Sequence, residues 1–308
     1  MNERVPAIVV GVDGSTSALQ ATRWAAREAV RLRLTLRVVQ ACVPLGVSHP
    51  TSLAVQEEYL DAMHGQSRHW AREAVAVARR EAPGLVVVDV FRVGHPAGVL
   101  IEESVGAPMV VLGSRGLGGF PELRAGSVAV AVAEHARCPV VVVRGSTVDD
   151  LPPAAGPLLV GVDGSMASDA AVAFAFETAA SRGVELIAVH AWNDVAFDGA
   201  WTRVPRDVDQ REIAERQLRL LDERLAGWRE KYPEVPVRGL VVRDQPVRAL
   251  LKAAEDGDAW LIVVGARGAG NDLTGMGMGS TSRALLYHAT CSVAVVRPEH
   301  DSREGTDR

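Results

Sequence analysis

"VVGVDGS" at residues 9–15 returns as "LVGVDGS" at 159–165, an offset of 150 residues. "LTLRVVQA" at 34–41 corresponds to "VELIAVHA" at 184–191 with the same offset, and His95-Pro96 corresponds to Gln245-Pro246. "VVLGSRG" at 110–116 returns as "IVVGARG" at 262–268, and "ARCPVVVVR" at 136–144 returns as "ATCSVAVVR" at 289–297. These copies stay in register over roughly 140 residues, so one domain is written twice. A length of 308 residues suits two domains of about 150 residues each. The expected domains are 1–146 and 158–298, joined by a linker at 147–157 and followed by a polar tail at 299–308. The seam "GSTVDDLPPAAGP" carries prolines, glycines and paired aspartates but no periodic element.

Within each copy, short apolar runs alternate with longer helical patterns. In the first, "AIVVGV" reads as a buried strand, residues 15–33 as a helix, "TLRVVQA" as a strand and 55–81 as mainly helix. "LVVVDVFRV", "APMVVLG" and "CPVVVVR" add three strands separated by short helices. Valine-rich runs without alternation suit parallel strands covered on both faces. In the second copy Ala214, Leu218, Leu221, Leu225 and Trp228 recur every three or four residues and line one face of a helix that ends at "KYP". Each copy is therefore expected to be a five-stranded α/β domain with a parallel sheet.

Composition narrows the functional classes. Apolar residues make up 48% and charged residues 23%, the balance of a globular protein able to bury a sizeable core. A net charge of -5, with neither half strongly basic, argues against a nucleic-acid partner. Only Lys231 and Lys252 are lysines, which fits codon bias in a GC-rich genome. The apolar run near the N-terminus is too short for a signal peptide core or a membrane span, so a cytoplasmic protein without membrane contact is expected. Cys42, Cys138 and Cys291 are too few for a disulfide framework and lack metal-ligand spacing; the two that recur, Cys138 and Cys291, read as buried packing. His135 and His288 recur near the end of the last helix, where the dipole favours them. His64 and His69 do not share a helix face as metal ligands would.

The chemistry concentrates at strand ends. Asp13 closes the first strand, and "GSRGLGGFPELRAGS" at 113–127 follows the fourth. In an open parallel sheet, ligands sit beyond the carboxyl ends of strands; if strands one and four are neighbours, both features face one crevice. Glycine tolerates positive φ and close approach, so backbone N–H groups can converge on phosphate oxygens. Gly126-Ser127 then opens a helix whose N–H groups and dipole favour an anion. Neither loop contains the lysine of a G-x-x-x-x-G-K-[ST] motif, and G-x-G-x-x-G is absent. Arg115 and Arg267 recur and either meet phosphate or hold the loop.

Gly113-x2-Gly116-x9-Gly126-Ser127, with Asp13 after the first strand, resembles the ATP-binding signature of the universal stress protein family, and the double layout resembles its tandem actinobacterial members. The likeness covers about 5–145 and 157–298. It implies two Rossmann-like, adenine-nucleotide-binding domains. By resemblance, Gly11, Val12 and Asp13 lie near the ribose and Ala41 meets adenine, while Gly113, Ser114, Arg115, Gly116, Leu117, Gly118, Gly119, Gly126, Ser127 and Val128 wrap the phosphates. The matching positions in the second copy are Gly161, Val162, Asp163, Ala191, Gly265, Ala266, Arg267, Gly268, Gly279, Ser280 and Thr281, with Asp194 able to accept from adenine or ribose. A Mg2+ near Asp13 and Asp163 is implied as well. No catalytic residue is assigned.

The second loop departs from the pattern. Ten residues separate Gly268 from Gly279 where the signature has nine; sliding to Gly277 leaves eight and places Met278 where Ser or Thr belongs. With Asp272 in that loop, the first site is expected to bind at least as tightly as the second. The family resemblance implies an ATP-binding stress or dormancy regulator acting through nucleotide-dependent conformation or partner choice; the alternative is a slow ATPase or nucleotide-transferring enzyme. It also implies that the last strands of the two halves pair within one chain, and homodimers of the whole chain are compatible with it.

Overall fold

The computed structural model describes residues 6–43, 53–116, 125–145, 156–192, 210–268 and 277–298, with the backbone alone at 53–60 and 210. Two compact units emerge. The first holds β1 (Ala7–Gly11), α1 (Thr16–Leu32), β2 (Thr35–Cys42), α2 (Leu53–Glu81), β3 (Val87–Val93), α3 (Pro96–Glu103), β4 (Val110–Gly113), α4 (Ser127–His135) and β5 (Val140–Val143). The second repeats that order: β6 (Leu158–Gly161), α5 (Met166–Arg182), β7 (Leu186–Trp192), α6 (Gln210–Lys231), β8 (Val237–Arg243), α7 (Pro246–Asp256), β9 (Leu261–Gly265), α8 (Ser280–His288) and β10 (Ser292–Val296). Residues 147–155 of the expected linker, and the tail from 299, lie outside the described residues.

Strand order is β3-β2-β1-β4-β5 in the first unit and β8-β7-β6-β9-β10 in the second. Pairing within each unit is parallel: Val9 and Val10 stand opposite Val110 and Val111, and Gly11 stands opposite Val39. The chain winds outward from β1 to β3, then returns to the other side of β1 for β4. The loops leaving β1 and β4 consequently part in opposite directions and open a crevice at the switch point. In the first unit α1 and α2 pack together on one face of the sheet and α3 and α4 on the other. Ile8, Val9, Val10, Val110 and Val111 are fully buried between them, which is why these strands read as continuous rather than alternating runs.

The α6 periodicity points inward as the spacing predicts at Leu221 and Leu225, which are buried, whereas Leu218 is 40% exposed at the margin of the stripe. Trp228 and Tyr232 stack beside Phe176 of α5. In the first unit the corresponding helices are tied by charge, with Glu81 accepting from Arg23 and Arg27. Burial pushes the Glu81 carboxyl up, and the hydrogen bonds and charges of Arg27 and Arg23 outweigh it and hold the group below the usual carboxylate range.

One local conflict is visible between the copies. Helix α1 ends on Arg33 at φ 56, whereas α5 ends on Gly183 at φ 64, each donating its N–H back to the last turn. A Cβ is disfavoured in that left-handed conformation and glycine is not. Arg33→Gly is expected to raise stability by about 0.5–1 kcal/mol. Urea unfolding of the full chain checks this, and an unchanged or lower midpoint would contradict it.

Candidate functional site

Both copies of Gly-Val-Asp-Gly-Ser fold alike. Val12 donates its N–H to the Val39 carbonyl at 3.0 Å and Val162 to Val189 at 2.9 Å, so the chain stays braced on the second strand as it leaves the first. Gly14 and Gly164 then take φ of +83° and +82°, which reverses the chain toward the helix. The Trp70 indole covers the first of these glycines and the Arg224 guanidinium the second. One carboxylate oxygen of Asp13 accepts the Ser15 N–H at 3.0 Å. Its counterpart on Asp163 accepts the Ser165 N–H at 3.0 Å and the Ser165 hydroxyl at 2.7 Å. The other oxygen faces across the crevice, so that a Cβ on Gly116 or Gly268 would stand only 2.6 or 2.8 Å from it. The β1 and β4 loops therefore face one crevice, as expected for neighbouring first and fourth strands, with a carboxylate on one wall and a glycine loop on the other.

The glycines of that loop are needed for reasons other than the expected positive φ. Gly113, Gly116 and Gly126 and their second-copy equivalents do not have positive φ; around the crevice it falls on Gly14, Gly164 and Gly277 instead. At Gly113 a Cβ would lie 2.6 Å from the Ser17 backbone, and at Gly265 it would lie 2.6 Å from the Ala167 backbone. These two glycines let the first turn of α1 and of α5 press onto the strand end.

Hydrogen bonds fix both ends of each loop. Ser17 Oγ accepts the Arg115 N–H at 3.3 Å, and Ser15 Oγ donates to the Arg115 carbonyl at 3.2 Å. Gly126 donates its N–H to the Ser114 carbonyl, and Gly279 to Ala266, each at 2.8 Å. Arg267 Nε donates to the Gly277 carbonyl at 3.1 Å, which gives the recurring arginine a loop-holding role in the second copy. Gly279, not Gly277, is thus the equivalent of Gly126.

The two helix starts in each half are treated differently. Ser15 and Ser165 cap α1 and α5 through side-chain bonds to the Ala18 and Ser168 N–H groups. Helices α4 and α8 start on Gly126 (φ -76, ψ 153) and Gly279 (φ -61, ψ 154), with no side-chain cap. Any residue accepts those angles, and among the described residues the nearest atoms to an added Cβ are 3.8 and 3.5 Å away. Conformation and space do not require glycine here. Among the described residues the first N–H groups of each helix then have no side-chain acceptor, and in the second unit they lie at the cavity.

In the second unit the crevice is a cavity of about 480 Å3. Val162, Val189, Ala191, Pro246, Leu250 and Val264 form an apolar wall, and Asp163, Ser168, Arg267 and the start of α8 supply the polar end. A slot of this size, apolar on one side with a few convergent polar groups on the other, is built like a small-molecule site. Among the described residues no group of three or more His, Cys, Asp or Glu could hold a metal ion, and no helix is long and apolar enough to cross a membrane.

The sequence matches the model of the universal stress protein family over residues 5–144 and again over 155–297. The chain belongs to the universal stress protein family. A universal stress protein of Mycolicibacterium smegmatis is 40% identical over 299 residues, covering 94% of this chain and 97% of its relative. A universal stress protein of Mycobacterium tuberculosis is 39% identical over 294 residues, covering 94% and 96%. In fold, the chain is similar to a universal stress protein of Archaeoglobus fulgidus, with a TM-score of 0.69 at 20% identity over 94% of this chain and 98% of that one.

Most positions that the family signature marks in the second domain come together. Gly161, Val162, Asp163, Ala191, Gly265, Arg267, Gly268, Gly279, Ser280 and Thr281 line the cavity. Ala266 is buried and acts through its carbonyl on Gly279. Asp194 lies outside the described residues, as do Leu117, Gly118, Gly119 and Asp272. In the first domain Gly113, Ser114, Arg115, Gly116, Gly126 and Asp13 are joined by the contacts above, and Ser127 and Val128 begin α4. Sequence reading missed Ser168, Ser282 and the α7 contribution of Pro246 and Leu250. The His95-Pro96 and Gln245-Pro246 correspondence was the signal available for α7, since proline suits the first turn of a helix. Cys138 is buried, and burial pushes its thiol up to about 12, in keeping with packing rather than chemistry.

Proposed function

We propose that each domain of this universal stress protein binds an adenine nucleotide, ATP by preference, and that the protein is a cytoplasmic regulator of stress or dormancy. Bound nucleotide sets its conformation or its choice of partner, a second copy of the chain included. The observation that carries the reading is the pair of glycine-capped helices, α4 and α8, whose open N–H groups face a carboxylate across the crevice. In the second domain an apolar slot large enough for a base adjoins that anion site. Asp13 and Asp163 each offer one carboxylate. That suits a Mg2+ which takes most of its ligands from phosphate oxygens and water, rather than one held in a protein cage. When bound, such an ion would neutralise phosphate charge beside the aspartate.

The test is calorimetric titration of the full chain with ATP, with and without Mg2+, beside mass spectrometry of ligand released from the purified protein. Asp13→Ala and Asp163→Ala are each expected to weaken binding at their own site by about 10- to 100-fold, the loss of hydrogen bonds to a charged group. Unchanged affinity in a folded double variant would overturn the reading. A phosphate-release assay on the same samples separates a regulator, which holds ATP intact, from a slow ATPase. Light scattering with and without nucleotide reports a change of assembly.

A further inference from the structure

We infer that hydroxyl groups peculiar to the second domain, chiefly Ser168 and Thr281, make its site the tighter of the two for an acceptor-rich ligand such as a nucleotide phosphate or ribose. The inference rests on the nucleotide-binding reading and reverses the ranking that loop spacing alone suggests. At the third position of α5 stands Ser168, where α1 has Ala18; at the second position of α8 stands Thr281, where α4 has Val128.

Ser168 is 3% exposed in the floor of the cavity. Its oxygen accepts the Asp163 N–H at 3.1 Å, and its proton has no acceptor among the described residues. A buried hydroxyl proton without an acceptor is costly unless something in the cavity takes it. Thr281 faces the same space, and its hydroxyl also has no partner among the described residues. Ser282, by contrast, is already committed, donating to the Gly265 carbonyl at 2.6 Å. Two donors are thus available in the second domain at positions where the first has Ala18 and Val128, while the first domain's own extra hydroxyls, Ser17 and Ser114 (Ala167 and Ala266 in the second), are drawn onto each other and onto the Arg115 N–H. The loop insertion does not offset them at the helix start, because Gly279 closes on Ala266 with the same 2.8 Å bond that joins Gly126 to Ser114.

The experiment uses the full chain and ATP as probe. Each site is read alone by introducing Asp13→Ala or Asp163→Ala to weaken the other. The second site is expected to bind more tightly than the first. Thr281→Val, which keeps shape but removes the hydroxyl, should weaken the second site by about 3- to 10-fold, and Ser168→Ala with Thr281→Val by about tenfold or more. Thr281→Ser, which keeps the donor, should retain affinity. Val128→Thr with Ala18→Ser should strengthen the first site severalfold. Thermal unfolding without nucleotide should move little in the Thr281 variants, separating ligand contact from structural damage. A second site that binds ATP equally well with Thr281→Val and with the double change overturns the inference and leaves nucleotide binding intact. A wild-type chain that binds no ATP at either site overturns both.

Discussion

Gly113→Ala is expected to cost about 3 kcal/mol, and Gly265→Ala as much in the second domain, the upper range for forcing atoms into a packed site. The added Cβ would meet main-chain carbon and oxygen of Ser17 or Ala167 at 2.6 Å, and backbone at the first turn of a helix cannot swing aside. Relief requires α1 or α5 to lift from the strand end, which also loosens Asp13 or Asp163. Calorimetric melting should show the affected domain's transition falling by about 6–12 °C, at roughly 2–4 °C per kcal/mol for a domain of this size. Gly116→Ala is the control. Its Cβ would meet only the Asp13 carboxylate oxygen, which can rotate away, so the fold should survive while ligand affinity falls. Equal melting temperatures for Gly113→Ala and the parent would contradict this account of the strand-end glycine. The spacing of the signature suggests Gly113 as a ligand-facing residue; its first duty is to packing.

That difference shows what can be read from residues alone. The duplicated Gly-Val-Asp-Gly-Ser and the uninterrupted valine runs suffice for two parallel five-stranded domains, because burial on both faces leaves a direct compositional trace. Asp13 and Gly116 were also legible as partners, since strand ends at a switch point converge whatever the loops contain. The reason for each glycine was not. Positive φ, a main-chain neighbour and the absence of a cap all select the same residue, and only coordinates separate Gly14 from Gly113 and Gly113 from Gly126. Ser168 was hidden for a similar reason. A serine at the third position of a helix looks like part of an ordinary N-terminal cap, and its place in the cavity floor depends on how α5 seats against Gly265. The wall from α7 was hidden because Leu250 has no chemistry of its own; it matters through its position beside Gly161, where an added Cβ would reach it at 3.3 Å.

Gly126→Asp and Gly279→Asp are expected to change stability and binding in opposite directions. Both glycines sit at N-cap positions with extended backbone angles and room for a side chain. Aspartate is among the best N-cap residues: it accepts from the helix N–H groups and its charge suits the dipole, while glycine is weaker by only a few tenths of a kcal/mol in capping alone. Each variant should therefore fold and melt at or slightly above the parent temperature. The same carboxylate would occupy the N–H groups that a phosphate needs and place a second negative charge opposite Asp13 or Asp163. Loss of one charged hydrogen-bonding site and repulsion at close range act together, so nucleotide affinity at that site should fall by about 100-fold or more. Gly126→Ala and Gly279→Ala supply the discriminating comparison, since they add the Cβ without the acceptor and should retain most of the affinity. If the alanine and aspartate variants bind equally well, the open helix start is not where the anion sits. If both lose binding equally, bulk rather than the uncapped N–H groups decides the site.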